Sequence, residues 1–207
     1  MDKFLKTIHE LTDIVGPSGR ESKVANYLKK NWNEYGEVKE DRLVNLCITI
    51  GNKGPHIAFS AHMDEVGFVI KYIDEKGFIS LNKLGGIPER VLSGQKILIL
   101  GKKGLIQGVF TTWPHHLTPD SEKYKVKPIG ECWVDVGVFS KKEAESIGLR
   151  VGDFGVYSRS WHVEGKTIFS NSLDNRAGIA SISQLLENVS KNNNFKLSLI
   201  ASVQEEF

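Results

Sequence analysis

The sequence predicts an α/β fold: a mixed-sheet domain interrupted by a small β-barrel-like domain. Three observations predict it. Apolar stripes at helical spacing and strand-like apolar runs occupy residues 1–65 and return from residue 163. Between them, short β-rich runs alternate with Gly-containing turns, the pattern of a small barrel or sandwich. Finally, the run from Leu197 to Val203 reads as a buried strand and meets the carboxylates of Glu205 and Glu206. Ligand sites collect at the carboxyl ends of strands in open α/β sheets. The expected domains are therefore 1–65 with 163–207, and an insertion over 66–162.

In chain order, Leu5, Ile8, Leu11, Ile14 and Val15 form one helical stripe, with His9 on the polar side as a surface residue. Gly16-Pro17-Ser18-Gly19 breaks that helix, because Pro cannot continue it. Ser18 or Ser22 is the expected cap of a second helix carrying Val24, Tyr27, Leu28 and Trp32. Leu43–Ile50 and the run from His56 to Glu65, whose apolar part ends as its polar residues arrive, read as strands around the Gly51–Pro55 turn, with His56 exposed. Strands of the insertion are expected at 66–73, 78–81, 96–100, 105–110, 133–138 and 154–158, with one short helix over 141–147. Residues 165–170 read as a short strand, and Ile179, Ile182, Leu185, Leu186 and Val189 line a helix. Asn192-Asn193-Asn194 reads as a loop before the last strand.

Bulk properties narrow the function classes. With 27 Lys+Arg against 25 Asp+Glu, the net charge of +2 is too balanced to suggest a nucleic-acid or anionic-membrane partner. Cys47 and Cys132 lack metal-type spacing and read as reduced thiols of a cytoplasmic protein. Neither a signal peptide nor a membrane-spanning apolar run is read.

Residues able to carry chemistry stand at element ends. His62 and Asp64 are two apart, so in extended chain they share a face and the carboxylate can orient the ring. Asp174 lies at the start of a helix, where an N-cap is the alternative reading. Glu205 and Glu206 are adjacent, so on a strand they point to opposite sides. One can then bind a metal while the other handles a proton. The His115-His116 pair has no acidic neighbour and reads as a packing or interface loop. A sheet bringing His62, Asp64, Asp174, Glu205 and Glu206 to one rim offers ligands suited to zinc, cobalt or manganese. A bridging aspartate with one ligand on either side makes a two-metal site that activates water and clamps an oxyanion.

Four motifs stand in order along the chain. They are Ala61-His62-Met63-Asp64-Glu65-Val66-Gly67-Phe68, Gly85-Gly86 with Arg90 to Gln95, Ser172-Leu173-Asp174-Asn175-Arg176-Ala177-Gly178, and Val203-Gln204-Glu205-Glu206. In these the chain resembles the M42 glutamyl-type and broad-specificity metalloaminopeptidases, including the tetrahedral cytosolic peptidases. The resemblance implies a co-catalytic metallopeptidase domain with two divalent ions and an inserted domain used in dimers that assemble into a dodecamer. It implies His62 and Glu206 as ligands of separate ions, Asp174 as their bridge, Asp64 as the support of His62, and Glu205 as general base. The implied substrate is a peptide with a free N-terminus. An endoglucanase label carried by some relatives does not suit two consecutive glutamates, since glycosidase carboxylates flank a bond from two sides.

Family members continue past this glutamate pair, where a further aspartate and a further histidine ligand lie. Counting alone points the same way: His62 with Asp174, and Asp174 with Glu206, give each ion two protein ligands, against about three at a catalytic zinc. The sequence therefore predicts a chain that stops before its site is complete, with its last strand uncovered. Such an isolated polypeptide is expected to be inactive and poorly soluble. The competing readings are an assembly-only member that has lost its chemistry and a related co-catalytic zinc deacylase or carboxypeptidase.

Overall fold

The structure is a computed structural model that describes residues 2–189 and 194–207. The chain divides into two compact units, Met1–Glu65 with Arg159–Phe207, and Val66–Ser158.

The first unit begins with α1 (Lys3–Asp13), which buries Ile8 and Leu11 and gives way to extended chain at Ile14. Helix α2 (Ser22–Trp32) buries Val24, Ala25, Leu28 and Trp32, the apolar stripe of its sequence. Neither expected serine caps it: Glu21 occupies the cap position without a side-chain cap bond, and the Ser18 hydroxyl is engaged elsewhere. His9 is partly buried and stacks on Trp161 at 4.5 Å. Strands β1 (Val38–Glu40), β2 (Leu46–Ile50) and β3 (His56–His62) follow. The Asp41 carboxylate accepts the Leu43 and Asn45 amides and the Asn45 side-chain amide, which fixes Asn45 at the entrance to β2.

The second unit is a closed antiparallel barrel of β4 (Gly67–Ile73), β5 (Ile79–Leu84), β6 (Lys96–Gly101), β7 (Gly104–Phe110), β8 (Trp133–Asp135) and β9 (Phe154–Tyr157). Their order around the barrel is β4-β5-β8-β7-β6-β9. Closure removes free strand edges, and the interior fills with Phe68, Ile70, Leu81, Ile97, Ile99 and Phe110. Phe68 meets Phe110 and Tyr157 edge to face. Strand β8 is shorter than its sequence run. The Asp135 carboxylate accepts the Gly137 amide at 2.7 Å, and Gly137, with φ of +77°, turns the chain away. Helix α3 (Lys141–Ser146) is capped by the Ser140 hydroxyl, which accepts the Glu143 amide.

Returning to the first unit, β10 (Trp161–Glu164) and β11 (Thr167–Ser170) form a hairpin, so residues 159–162 belong here and not to the insertion as expected. Arg159 is tied to Glu65, and Ser160 to Asn171. Helix α4 (Leu173–Asn188) and β12 (Lys196–Ser202) complete the unit. Of the expected loop before β12, Asn192 and Asn193 lie outside the described residues.

The sheet order is β1-β2-β12-β3, with β12 antiparallel to β2 and parallel to β3. It is therefore mixed, and its register sets Ser202 beside His62. Strand β12 is paired on both sides and buries Leu197, Leu199 and Ala201 among residues of α1, α2 and α4. The apolar exposure expected of this last strand falls instead on β3, where Ile57 and Phe59 are exposed.

Candidate active site

Strand β12 ends at Ser202, before the two glutamates, which corrects the expectation that they extend a strand and point to opposite sides. Gln204 adopts φ of +58°, a left-handed conformation that breaks the alternation. The turn brings the backbone amides of Glu205 and Glu206 to the two oxygens of one carboxylate, Asp64, at 3.1 and 3.0 Å. Both side chains then approach the same histidine. One ligand atom from each of His62, Glu205 and Glu206 lies within 4.8 Å of the others, the one such group among the described residues. The exposed His115 and His116 join none.

His62 is buried at the end of β3 beside Ser202. Its Nδ1 lies 3.3 Å from Asp64 Oδ1, an ion-pair distance without hydrogen-bond alignment. Its Nε2 lies 3.0 Å from Asp174 Oδ1 and 3.9 Å from Glu205 Oε2. The ring is thus set between carboxylates, and its pKa rises to about 9. Asp64 contributes most and Asp174 less, against the opposing cost of burial.

Asp64 is fully buried, and burial pushes its carboxyl pKa up. His62, the Ser18 hydroxyl at 2.6 Å and the Glu206 and Glu205 amides outweigh that push and hold it well below the usual carboxylate range. Glu206 is partly buried, and desolvation raises its pKa, reinforced by Glu205, Asp174 and Asp64 and opposed by His62.

Asp174 is not a helix cap. Ser172, at φ of +58°, occupies the cap position, while Asp174 and Asn175 have non-helical dihedrals and are joined by a cis peptide bond. The Asp174 side chain is 83% exposed apart from its contact with His62. Asn175 accepts the Gly178 amide at 3.1 Å, and a Cβ on Gly178 would stand 2.0 Å from the same Asn175 oxygen. Glycine there lets the turn close.

Beneath these residues lies an ion network that the sequence reading missed. Glu65 is buried and accepts from both Arg159 guanidinium nitrogens, from the Ser172 hydroxyl and from the Gly16 amide. Arg176 is fully buried, with Nη2 3.8 Å from Glu65 and Nη1 donating to the Leu11 carbonyl. Burial lowers its pKa to about 10, with Glu65 opposing that shift. Burial pushes the Glu65 carboxyl up, and Arg159, Arg176 and Ser172 together bring it below its ordinary value. Glu65 follows Asp64 directly, and Ser172 precedes Asp174 by two residues, so the network ties the strand end to the segment bearing Asp174.

An imidazole and several carboxylates converging from three chain segments make a donor set suited to a divalent cation. The proton that His62 takes up at its raised pKa is the positive charge such an ion would replace.

A family model for the M42 glutamyl aminopeptidase matches residues 44–207. The chain belongs to that family. An M42 relative, the glutamyl aminopeptidase of Lactococcus lactis subsp. cremoris, is 33% identical over all of this chain and 60% of its own length. An aminopeptidase from the archaeon Desulfurococcus kamchatkensis superposes with a TM-score of 0.90 at 32% identity, covering 99% of this chain and 56% of that one. The Pyrococcus horikoshii TET1 peptidase, which can assemble into a tetrahedron or a large octahedral shell, superposes at 0.89 and 28% identity over 99% of this chain and 62% of that one. The chain spans 57–58% of the length of other curated relatives.

Proposed function

We propose that this chain forms the metal-site portion of a metal-dependent aminopeptidase that releases N-terminal residues from peptides. The observation that carries the reading is the turn at Gln204, which aims two carboxylates at a histidine already held by a third. In this reading His62 would hold one divalent ion and Glu206 the other, with Asp174 available to both. Zinc suits the donors, as do cobalt and manganese. Bound ions supply Lewis acidity, which lowers the pKa of water and polarises a carbonyl.

The chain's own residues supply the rest. Asp64 fixes the His62 ring through Nδ1 and leaves Nε2 facing Asp174. Glu205, with its side chain 61% exposed, is open to a water molecule, while the less exposed Glu206 suits ligation. As water attacks the first carbonyl carbon, Glu205 takes its proton. The same carboxyl gives a proton to the peptide nitrogen as the C–N bond breaks.

Hydrolysis of aminoacyl p-nitroanilides by the metal-loaded full-length protein, in which the ligand set of both ions is complete, tests the reading. Glu205→Gln is expected to lower turnover by about 100-fold or more while metal content stays within about threefold. Equal cleavage of N-acetylated substrates would point to the deacylase reading, and activity without metal would overturn the metal assignment.

We also propose that copies of this chain associate in the cytoplasm through the barrel unit. Trp113, Tyr124 and Phe139 are 74%, 90% and 88% exposed there, large apolar side chains available to a partner copy. Cys47 and Cys132 are free thiols, which suits a reducing compartment. Among the described residues no helix is long and apolar enough to cross a membrane.

A further inference from the structure

Residues 203–206 leave β12, yet each of their amides has a side-chain acceptor. Val203 donates to Asn45 Oδ1 at 2.9 Å and Gln204 to Glu21 Oε1 at 3.1 Å. Glu205 and Glu206 donate to Asp64. Asp64 lies beside His62 and belongs to the site already described, and Asn45 sits at the entrance to β2. Glu21 is different: it lies far from the site in sequence, is only 4% exposed, and belongs to no group of metal-binding donors among the described residues.

The Glu21 environment shows what that carboxylate does. Its Oε1 accepts the Gly19 amide at 2.9 Å as well as that of Gln204. Gly19 and Gln204 are both left-handed, with φ of +81° and +58°. For Gln204, a non-glycine residue, that conformation is unfavourable and persists only where neighbours impose it. The same short loop reaches the site three times. The Gly16 amide donates to Glu65, the Ser18 hydroxyl to Asp64, and Glu21 accepts from Gln204. A carboxylate buried at this depth is costly to desolvate, and two converging amides with charge-assisted bonds offset part of that cost.

We infer that Glu21 is a positioning residue of the metal site, holding Gln204 in its left-handed turn so that Glu205 and Glu206 both face His62. The inference rests on the metal reading proposed above and adds a residue that touches neither metal nor substrate. Without Glu21, the Gln204 amide has no acceptor in the fold. The turn then relaxes toward extended chain, and adjacent glutamates return to opposite sides.

The test is Co2+ titration of the full chain, followed by visible absorption, with hydrogen exchange of residues 203–206 measured on the metal-free protein. Glu21→Ala is expected to weaken Co2+ binding about tenfold and speed exchange at the turn. Glu21→Gln, which keeps the carbonyl oxygen, is expected to stay within about threefold of the parent in both. A folded Glu21→Ala variant whose Co2+ affinity and turn exchange match the parent overturns the inference, even if its thermal midpoint drops. If Glu21→Ala does not fold, Glu21→Asp replaces it. The carboxylate then retreats by one methylene, and parent-like affinity and exchange again overturn the role. A parent chain that takes up no Co2+ defeats the metal reading; turn exchange then decides alone, accelerated in Glu21→Ala and restored in Glu21→Gln if Glu21 sets the turn, unchanged if it does not.

Discussion

The two units handle buried polarity in opposite ways. In the sheet unit, Ser18, Glu21, His62, Asp64, Glu65 and Arg176 are all buried. In the barrel, Ser80 is the sole buried polar residue among those described, and the interior is filled by aliphatic and phenyl groups. Desolvating a charge costs several kcal/mol and is tolerated where partners converge on it. The barrel core is therefore held by apolar packing, without a buried charge among the described residues. The sheet unit carries a burden of fixed charge that packing does not require, and that burden lies beneath the converging carboxylates. The contrast supports placing the proposed chemistry in the sheet unit.

The strongest way to break this contrast is to remove one member of the charge network. Glu65→Ala leaves the guanidiniums of Arg159 and Arg176 without their carboxylate while both remain shielded from solvent. Expected destabilisation is about 3–5 kcal/mol, measured by urea unfolding of the metal-free chain. A loss below about 1 kcal/mol would mean that the network is solvated and the contrast false. Glu65→Gln, which keeps one carbonyl acceptor for either Gly16 or Ser172, should lose less.

The matching probe in the barrel is Phe110→Ala. Phe110 is 1% exposed and meets Phe68 at 5.2 Å between ring centroids. Deleting the ring is expected to cost about 3–4 kcal/mol through transfer and cavity effects. Co2+ affinity of the folded fraction should nonetheless stay with the parent. A metal site weakened as much by Phe110→Ala as by Glu65→Ala would erase the division of labour.

How much of this was legible in the sequence follows the range of the interactions. Helical stripes and alternating β-branched runs are local patterns, and they located the helices and the six barrel strands to within a few residues. His62, Asp64 and Asp174 stand at element ends in the sequence, and the fold brings both carboxylates to the His62 ring, although the local sequence of Asp174 read equally as a helix cap. The glutamate pair was legible in identity but misplaced in geometry, since the acceptor that holds Gln204 left-handed lies 183 residues earlier. Ser18 was read as a helix cap on its local sequence, whereas its partner Asp64 is 46 residues away. Arg159 has no local signature at all, because its role exists only once Glu65, 94 residues distant, is beside it. Long-range polar pairing is set by topology, and periodicity carries no record of it.

A smaller effect tests the electrostatics through pH. His62 has a pKa of about 9 in the fold against an ordinary value of 6.5. A raised folded pKa contributes stability that is fully present below pH 6.5 and is lost as pH rises through about 9. Allowing for solvent screening, the metal-free chain should lose roughly 1–2 kcal/mol across that window. Metal affinity should move the other way and rise with pH, because the ion must displace the His62 proton. Parallel falls in stability and in metal affinity would show that the proton and the ion do not share the ring.

The smallest effects sharpen the comparison most cleanly, because they delete one hydroxyl from each unit. Ser18 is 2% exposed and donates to Asp64 at 2.6 Å, a charge-assisted bond to the carboxylate that holds His62 and the glutamate turn. Ser18→Ala is expected to cost about 1–2 kcal/mol, read by urea unfolding, as the buried Asp64 carboxylate loses a donor. Ser80 is 6% exposed on β5 between Tyr72 and Trp133, with no charged partner. Ser80→Ala is expected to change stability by less than about 0.5 kcal/mol, since the hydroxyl leaves no charged group without a partner. The two residues are matched in type and burial, so the difference between them isolates the partner. If Ser80→Ala costs as much as Ser18→Ala, burial of the hydroxyl sets the energy in both units, and the carboxylate beneath the site holds no special place.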